Sequence, residues 1–264
     1  MFNVRLIKAE GLRRILVLAF YLAMTVVSVM MLTSNADMRQ KAFGLVVLVL
    51  IPFLLWFEYK RYVYVKANDE LNKKDMPEEC LKHTRFVIRT DILLKQYQNM
   101  APFQEGYALL DLDRADEIKE TLASRFGKRY ELSKGRNFEH SYLLFQAAAA
   151  KGDRNRLKEN YEEIEKIFNS QQRLSGDLIT LRHYIEAINL ACTGEASKAL
   201  ERFELLDTNA FKRREMTYYY YFYARACQMD HDYDKAEELY RKAVELSPNN
   251  RFIKNHPVTA RKKG

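Results

Sequence analysis

The chain has 264 residues and carries 43 Lys/Arg against 35 Asp/Glu, which gives a formal net charge of +8. This length allows one or two domains with a buried core. Residues 76–250 carry 27 Lys/Arg against 29 Asp/Glu, and such a nearly neutral body excludes a nucleic-acid-binding domain, whose basic charge covers a folded face.

Two apolar segments come first in the chain. Residues 15–32 are eighteen residues without a charge and residues 42–57 are sixteen more. As helices they measure about 27 Å and about 24 Å, close to the roughly 30 Å of a bilayer's hydrocarbon core. We therefore predict two transmembrane helices, at about residues 14–33 and 41–57, with a kink at Pro52. A cleaved signal peptide is disfavoured because the first apolar run is long and no small-residue cleavage site follows it.

Basic residues flank these two segments unevenly. Residues 1–14 carry four Lys/Arg and residues 58–75 carry five, whereas the short intervening loop carries only Arg39 and Lys41. Because basic residues accumulate on the cytoplasmic side, the sequence predicts a multi-pass cell-membrane protein with both termini in the cytoplasm.

A juxtamembrane segment is predicted at residues 58–77, as a helix or linker that follows the N-terminal part, residues 1–57. Its basic side chains Lys60, Arg61 and Lys66 are predicted to contact anionic lipid. The same contact is predicted for the basic C-terminal tail, residues 251–264, for which a solvated chain end is the alternative.

The remainder of the chain shows a helical pattern. Apolar residues recur at three- and four-residue spacing, and no stretch alternates apolar and polar residues as a strand does. The turn sequences KGD, TGE and DHD, at residues 151–153, 193–195 and 230–232, separate predicted helices at near-regular intervals. Helix pairs joined by such turns are typical of repeat architectures.

The clearest repeat unit is residues 217–250. Its characteristic large, small and helix-ending residues are Tyr220, Tyr223, Ala224, Ala236, Tyr240, Ala243 and Pro248. With these residues it resembles a tetratricopeptide repeat, although His231 stands where glycine is common and Cys227 where an aromatic residue is usual. Residues 180–213 and 138–171 fit more loosely.

The predicted fold class is therefore all-α. A transmembrane helical hairpin is followed by a tetratricopeptide-like α-solenoid over residues 78–250 and by the basic tail. The number of repeats before residue 138 stays open at this point.

The resemblance implies a concave groove that holds a protein or peptide partner. The groove positions implied by the family's geometry are Tyr218, Tyr221, Arg225, Gln228, Leu181, Tyr184 and Ile188. The alternative for the tyrosines is packing against residues 251–264. We therefore predict a membrane-anchored cytoplasmic scaffold or adaptor that binds a partner protein. The second candidate is an accessory or sensor subunit of a membrane transport or secretion complex.

The sequence contains no catalytic or metal-binding signature. The five histidines are scattered, and zinc-protease, phosphate-loop and nucleophile-elbow motifs do not occur. Asp230, Asp232 and Asp234 alternate as calcium ligands do, but Lys235 and Arg241 replace the Gly and Glu of a calcium loop. The cysteines, predicted to be reduced packing residues, are Cys80, Cys192 and Cys227. We predict no enzyme activity, cofactor, metal or nucleic-acid partner.

Overall fold

The structure is a computed structural model that describes residues 4–35, 37–91, 95–127, 130, 137–171, 173 and 175–258. The chain forms two compact units, Met1–Tyr62 and Val63–Gly264. Within the described ranges all regular structure is helical and no strand occurs. The predicted all-α fold is therefore confirmed.

Two long helices form the first unit. Helix α1 is Val4–Thr33, and helix α2 is Met38–Asn72, which runs through Pro52 and continues into the second unit. Both helices are long and apolar enough to cross a membrane, since each contains an 18-residue apolar window, with mean hydropathies of 2.5 and 2.1. The two predicted apolar helices are thus present, by length and composition, and their crossing of a membrane stays a prediction.

The two helices of the first unit pack against each other near their connecting loop and again near the far end. A Cβ added to Gly44 would lie 3.0 Å from the carbonyl oxygen of Ser28, so the backbones approach closely there. Ser28 is 2 % exposed. At the other end the Arg13 guanidinium donates to both carboxylate oxygens of Glu58, at 3.2 Å and 2.6 Å. The bidentate ion pair fixes how the helices align.

The second unit contains the end of α2 and ten further helices in its described part. In chain order they are α3 (Pro77–Thr90), α4 (Ala101–Asp111), α5 (Asp116–Phe126), α6 (Phe138–Lys151), α7 (Arg154–Asn169), α8 (Gly176–Thr193), α9 (Ala196–Glu204), α10 (Arg213–Met229), α11 (Tyr233–Leu246) and α12 (Arg251–Asn255). A short 3-10 helix, Thr208–Ala210, precedes α10.

Part of the predicted juxtamembrane segment belongs to this second unit. Ala67 and Leu71 are 0 % and 3 % exposed and lie in its hydrophobic core. Residues 63–72 are therefore the first helical turns of the folded unit and not a linker, because their apolar face has partners to pack against.

Four helix pairs share one kind of turn. A single residue in each turn adopts the left-handed backbone conformation, and these residues are Asp113, Gly152, Gly194 and His231. In every case the next amide donates to the carbonyl five residues earlier, at 2.8 to 3.0 Å, which closes the end of the first helix. The pairs α6–α7, α8–α9 and α10–α11 overlap residues 138–171, 180–213 and 217–250, and α4–α5 is a further helix pair before residue 138.

The beginning of the second unit is bonded to α10 and to the chain after α11. The Arg213 guanidinium donates to the carbonyl oxygen of Leu71 at 2.9 Å and to that of Leu246 at 2.8 Å. The side-chain amide of Asn249 donates to the carbonyl oxygen of Asp75 at 2.9 Å. The two bonds from Arg213 satisfy carbonyls at the ends of α2 and α11 that would otherwise lack donors.

Candidate partner-binding site

Four of the seven predicted groove residues are buried. Tyr218, Tyr221, Tyr184 and Ile188 are 2 %, 3 %, 1 % and 0 % exposed. These four side chains are therefore not open to solvent as the expected groove required, because neighbouring helices and the C-terminal segment cover them. The other three, which are partly exposed, are Arg225, Gln228 and Leu181.

Tyr218 belongs to a buried polar cluster instead of an open groove. Its hydroxyl donates to the carboxylate of Asp111 at 2.7 Å, and Arg214 donates to the same carboxylate at 2.8 Å and 2.9 Å. The Arg214 guanidinium also lies over the rings of Tyr107 and Tyr218, 4.8 Å and 4.7 Å from their centroids. Burial raises the pKa of Tyr218 well above its ordinary value. The hydroxyl therefore stays a neutral donor.

The charge of Arg214 is maintained by its partner in this cluster. Burial is the largest effect on the pKa of the guanidinium and lowers it, but the Asp111 carboxylate, Tyr218 and Tyr107 together raise it, so the net direction is upward. Arg214 and Asp111 come from α10 and α4, and their ion pair ties the last repeat to the first described helix pair. No local sequence signal connects two residues so far apart in the chain.

The C-terminal segment covers Tyr218 and Tyr221. The ring of Phe252 lies 6.0 Å from that of Tyr218 and 5.1 Å from that of Tyr221, between ring centroids, and Phe252 is 1 % exposed. Burial raises the pKa of Tyr221 to about 12. The alternative, in which the tyrosines pack against the C-terminal segment, is therefore the arrangement found for residues 251–258. Residues 259–264 lie outside the described residues.

A cavity of about 510 Å³ remains beside these covered tyrosines. Its wall comes from the turn after α4, the turn after α6, one face of α10 and the chain after α12. The residues that line it are Ala115, Asp116, Ala150, Lys151, Gly152, Tyr221, Arg225, Gln228, His256, Pro257 and Val258. Three predicted groove residues, Tyr221, Arg225 and Gln228, thus meet at one site, whereas the four others do not line it.

The charges around the cavity differ in how they are paired. Lys151 forms an ion pair with Asp116, and His256 bonds through Nε2 to Asp113 at 3.0 Å. Arg225 forms no ion pair with any residue of the described ranges, and its guanidinium lies 6.0 Å from the ring centroid of Phe222. An uncompensated positive charge on a concave wall favours a negatively charged ligand group.

Sequence reasoning missed most of the cavity wall. Asp116, Lys151 and the residues after α12 come from three separate segments, and their meeting depends on how the helix pairs stack. The turn sequence KGD at residues 151–153 was the one local signal, because it predicted a turn there without showing what the turn would face.

The described residues contain buried thiols and no cluster of metal-binding side chains. No group of three or more His, Cys, Asp or Glu side chains in the described residues has the geometry of a metal site. The three cysteines are free and buried. Burial raises the pKa of the Cys80 thiol to about 12 and that of Cys227 to about 11, so both thiols stay protonated at neutral pH.

The predicted lipid contacts are only partly compatible with the structure. Lys60 is 1 % exposed, which contradicts its predicted contact with lipid headgroups. Lys66 is partly exposed and lies 3.7 Å from a carboxylate oxygen of Glu70, and Arg61 is also partly exposed. The basic tail residues Arg261, Lys262 and Lys263 are outside the described ranges.

Comparison with known proteins supports the assignment of the last helix pair. Residues 217–250 match the family model described as tetratricopeptide repeat. The comparison with curated proteins found no similar sequence. The matched segment covers most of α10 and the whole of α11, including the turn at His231. The last helix pair of this all-α chain is thus similar to a tetratricopeptide repeat.

Proposed function

We propose that this protein is a membrane-anchored cytoplasmic scaffold that holds a partner protein through the cavity beside α10. Tetratricopeptide repeats generally bind protein partners, and Arg225 in this cavity is the observation that carries the proposal. The Arg225 guanidinium forms no ion pair within the described part of the chain, and its side chain is partly exposed. A partner segment with an acidic side chain would pair with it.

The size of the cavity limits what it accepts. A volume of about 510 Å³ lies in the range of roughly 300–1,000 Å³ that is usual for ligand sites. It accommodates a few residues of a partner and not a folded domain. Gln228 and the edge of Tyr221 supply hydrogen-bonding and apolar contact beside Arg225, so a short acidic and partly apolar segment fits best.

The membrane anchor is supported by the first unit. Only 6 % and 11 % of the residues in the apolar windows of its two helices are buried. So much exposed apolar surface is unfavourable in water, at about 25 cal/mol for each Å², and a bilayer would cover it. The excess of Lys/Arg at both outer flanks supports a cytoplasmic location for the second unit.

Cross-linking from within the cavity tests this function. A photo-reactive residue is placed at Gln228 of the full chain in its native membrane, alone and together with Arg225→Gln. If Arg225 pairs with the partner, we expect cross-linked product to fall by about tenfold or more. The matched control is Arg241→Gln on α11, whose side chain is 71 % exposed and lies away from the cavity wall. Equal yield in both variants would refute the proposed site.

A second candidate is an accessory or sensor subunit of a membrane transport or secretion complex. The observation that favours it is the almost unburied apolar surface of α1 and α2, which could pack against other membrane helices. Replacing the hairpin with an unrelated one of equal length separates the two. A scaffold would keep its partner, whereas a subunit that docks through the hairpin would dissociate from its complex.

A further inference from the structure

The turn between α4 and α5 holds an aspartate where its conformation suits glycine. Asp113 has φ 63°, and Gly152 and Gly194 hold the equivalent places in the next two turns. A side chain in this left-handed conformation costs free energy that glycine avoids. His231 holds the same place in the last turn, where its described side-chain contacts are to Tyr233, two residues on.

The Asp113 side chain reaches a distant segment, unlike that of His231. Its Oδ2 accepts a hydrogen bond from Nδ2 of Asn255 at 2.8 Å, and its Oδ1 accepts one from Nε2 of His256 at 3.0 Å. Both carboxylate oxygens of Asp113 are thus bonded, one to each of two adjacent residues in the C-terminal segment. The unfavourable backbone conformation at Asp113 therefore comes with a tertiary contact that glycine would not make.

The contacted segment, which we call the strap, consists of residues 254–258. Its ends are anchored by burial, since Ile253 just before it is 0 % exposed and Val258 is 4 % exposed. The residues between them are exposed to solvent. Apolar packing therefore holds the two ends of the strap, and Asp113 holds the middle.

The strap is also a wall of the candidate site. His256, Pro257 and Val258 line the same cavity as Arg225. We propose that Asp113 is a positioning residue for partner binding. Its carboxylate holds the strap in place, so that the strap encloses one side of a partner segment that pairs with Arg225. This inference rests on the proposed function, because it assigns a role in the same site.

The test compares two substitutions that relieve the same backbone conformation. Asp113→Gly removes both strap contacts, whereas His231→Gly changes an equivalent turn without contact to the strap. Because glycine suits both positions, neither variant is expected to lose helical content or thermal stability. A third variant, Asp113→Asn, tolerates the left-handed conformation and still accepts from Asn255, but it cannot form an ion pair with His256.

Two measurements are made on the full chain. Hydrogen exchange of the purified protein in detergent reports the strap through the His256 amide, which donates to the carbonyl oxygen of Phe252 at 3.1 Å. Cross-linking from position 228 in the native membrane reports partner binding. For Asp113→Gly we expect exchange at least tenfold faster in residues 254–258 and a cross-linking yield roughly tenfold lower. We expect an intermediate loss for Asp113→Asn and no loss for His231→Gly.

The outcomes separate this inference from the proposed function. Unchanged exchange in Asp113→Gly would show that the carboxylate does not hold the strap. Faster exchange with unchanged cross-linking would show that the strap is not part of the site, even if Arg225→Gln abolishes the product. An absence of cross-linked product in the chain whose one change is the photo-reactive residue at position 228 would contradict the proposed function itself and remove the inference with it.

Discussion

Arg214 and Asp111 illustrate how one residue pair determines which tyrosines are available for binding. The Asp111 carboxylate of this buried ion pair also accepts a hydrogen bond from the hydroxyl of Tyr218. A residue that family geometry assigns to an open groove is therefore bonded inside the unit. A tyrosine can be buried at low cost when its hydroxyl finds an acceptor. The acceptor here lies 107 residues away in the chain.

Breaking this pair from one side is predicted to be strongly destabilising. Arg214→Met leaves the Asp111 carboxylate buried without its cation, and we expect a loss of about 3–5 kcal/mol in the free energy of unfolding. The double variant Asp111→Asn with Arg214→Met removes both charges and should lose less than Arg214→Met alone. Urea unfolding of the full chain in detergent, followed by circular dichroism, measures the difference. A double variant at least as unstable as the single one would contradict this account.

The turn residues show what could be predicted from the sequence at the residue scale. Gly152 and Gly194 identify turns because the left-handed conformation is a local property of glycine. Asp113 gave no such signal. Its turn has the same backbone hydrogen bonds as the others, but no glycine marks it in the sequence. The role of Arg225 was assigned from the resemblance, but its lack of an ion pair is visible only in the folded unit.

Helix α12 is the element that converts the expected groove into a smaller cavity. Its five residues, Arg251–Asn255, place Phe252 against the rings of Tyr218 and Tyr221. Asn250 caps the helix, since its side chain accepts from the amide of Ile253. The sequence did not show whether this segment covers the tyrosines or remains a solvated chain end, because its apolar residues are few and periodicity cannot show which surface they cover.

Phe252→Ala is predicted to release this helix. The side chain is 1 % exposed, so its truncation should cost about 3–5 kcal/mol. Leu205→Ala is the control, because Leu205 is 70 % exposed and its loss should stay within about 0.5 kcal/mol. Thermal unfolding of both variants in the same detergent gives the comparison. Equal transition temperatures would mean that α12 does not contribute to the stability of the second unit.

At the scale of the whole molecule, the sequence predicted the order of its parts well. The apolar windows and the helix-turn-helix periodicity are properties of consecutive residues, and the described helices follow them. The boundary near residue 62 was not predicted. Nothing in the local composition marks it, because α2 continues through it as one helix, and only the packing of Ala67 and Leu71 assigns the following residues to the second unit.

The proposed topology has a direct consequence for chemical labelling. Ser34, in the short loop after α1, is exposed, and a cysteine there should react with a membrane-impermeant maleimide added to intact cells. A cysteine at Lys158, exposed on α7, should react only after permeabilisation. The native cysteines are buried and should contribute little background. Labelling of the Lys158→Cys variant in intact cells would contradict the cytoplasmic location.

The most direct measurement of the central claim is the identity of the partner residues that cross-link to position 228. Mass spectrometry of the product from native membranes is predicted to find an Asp or Glu near each linkage site, because Arg225 supplies the uncompensated charge of the cavity. The product should fall by about tenfold or more in Arg225→Gln and persist in Arg241→Gln. Linkage to segments without acidic residues, at a yield that Arg225→Gln does not change, would contradict the account.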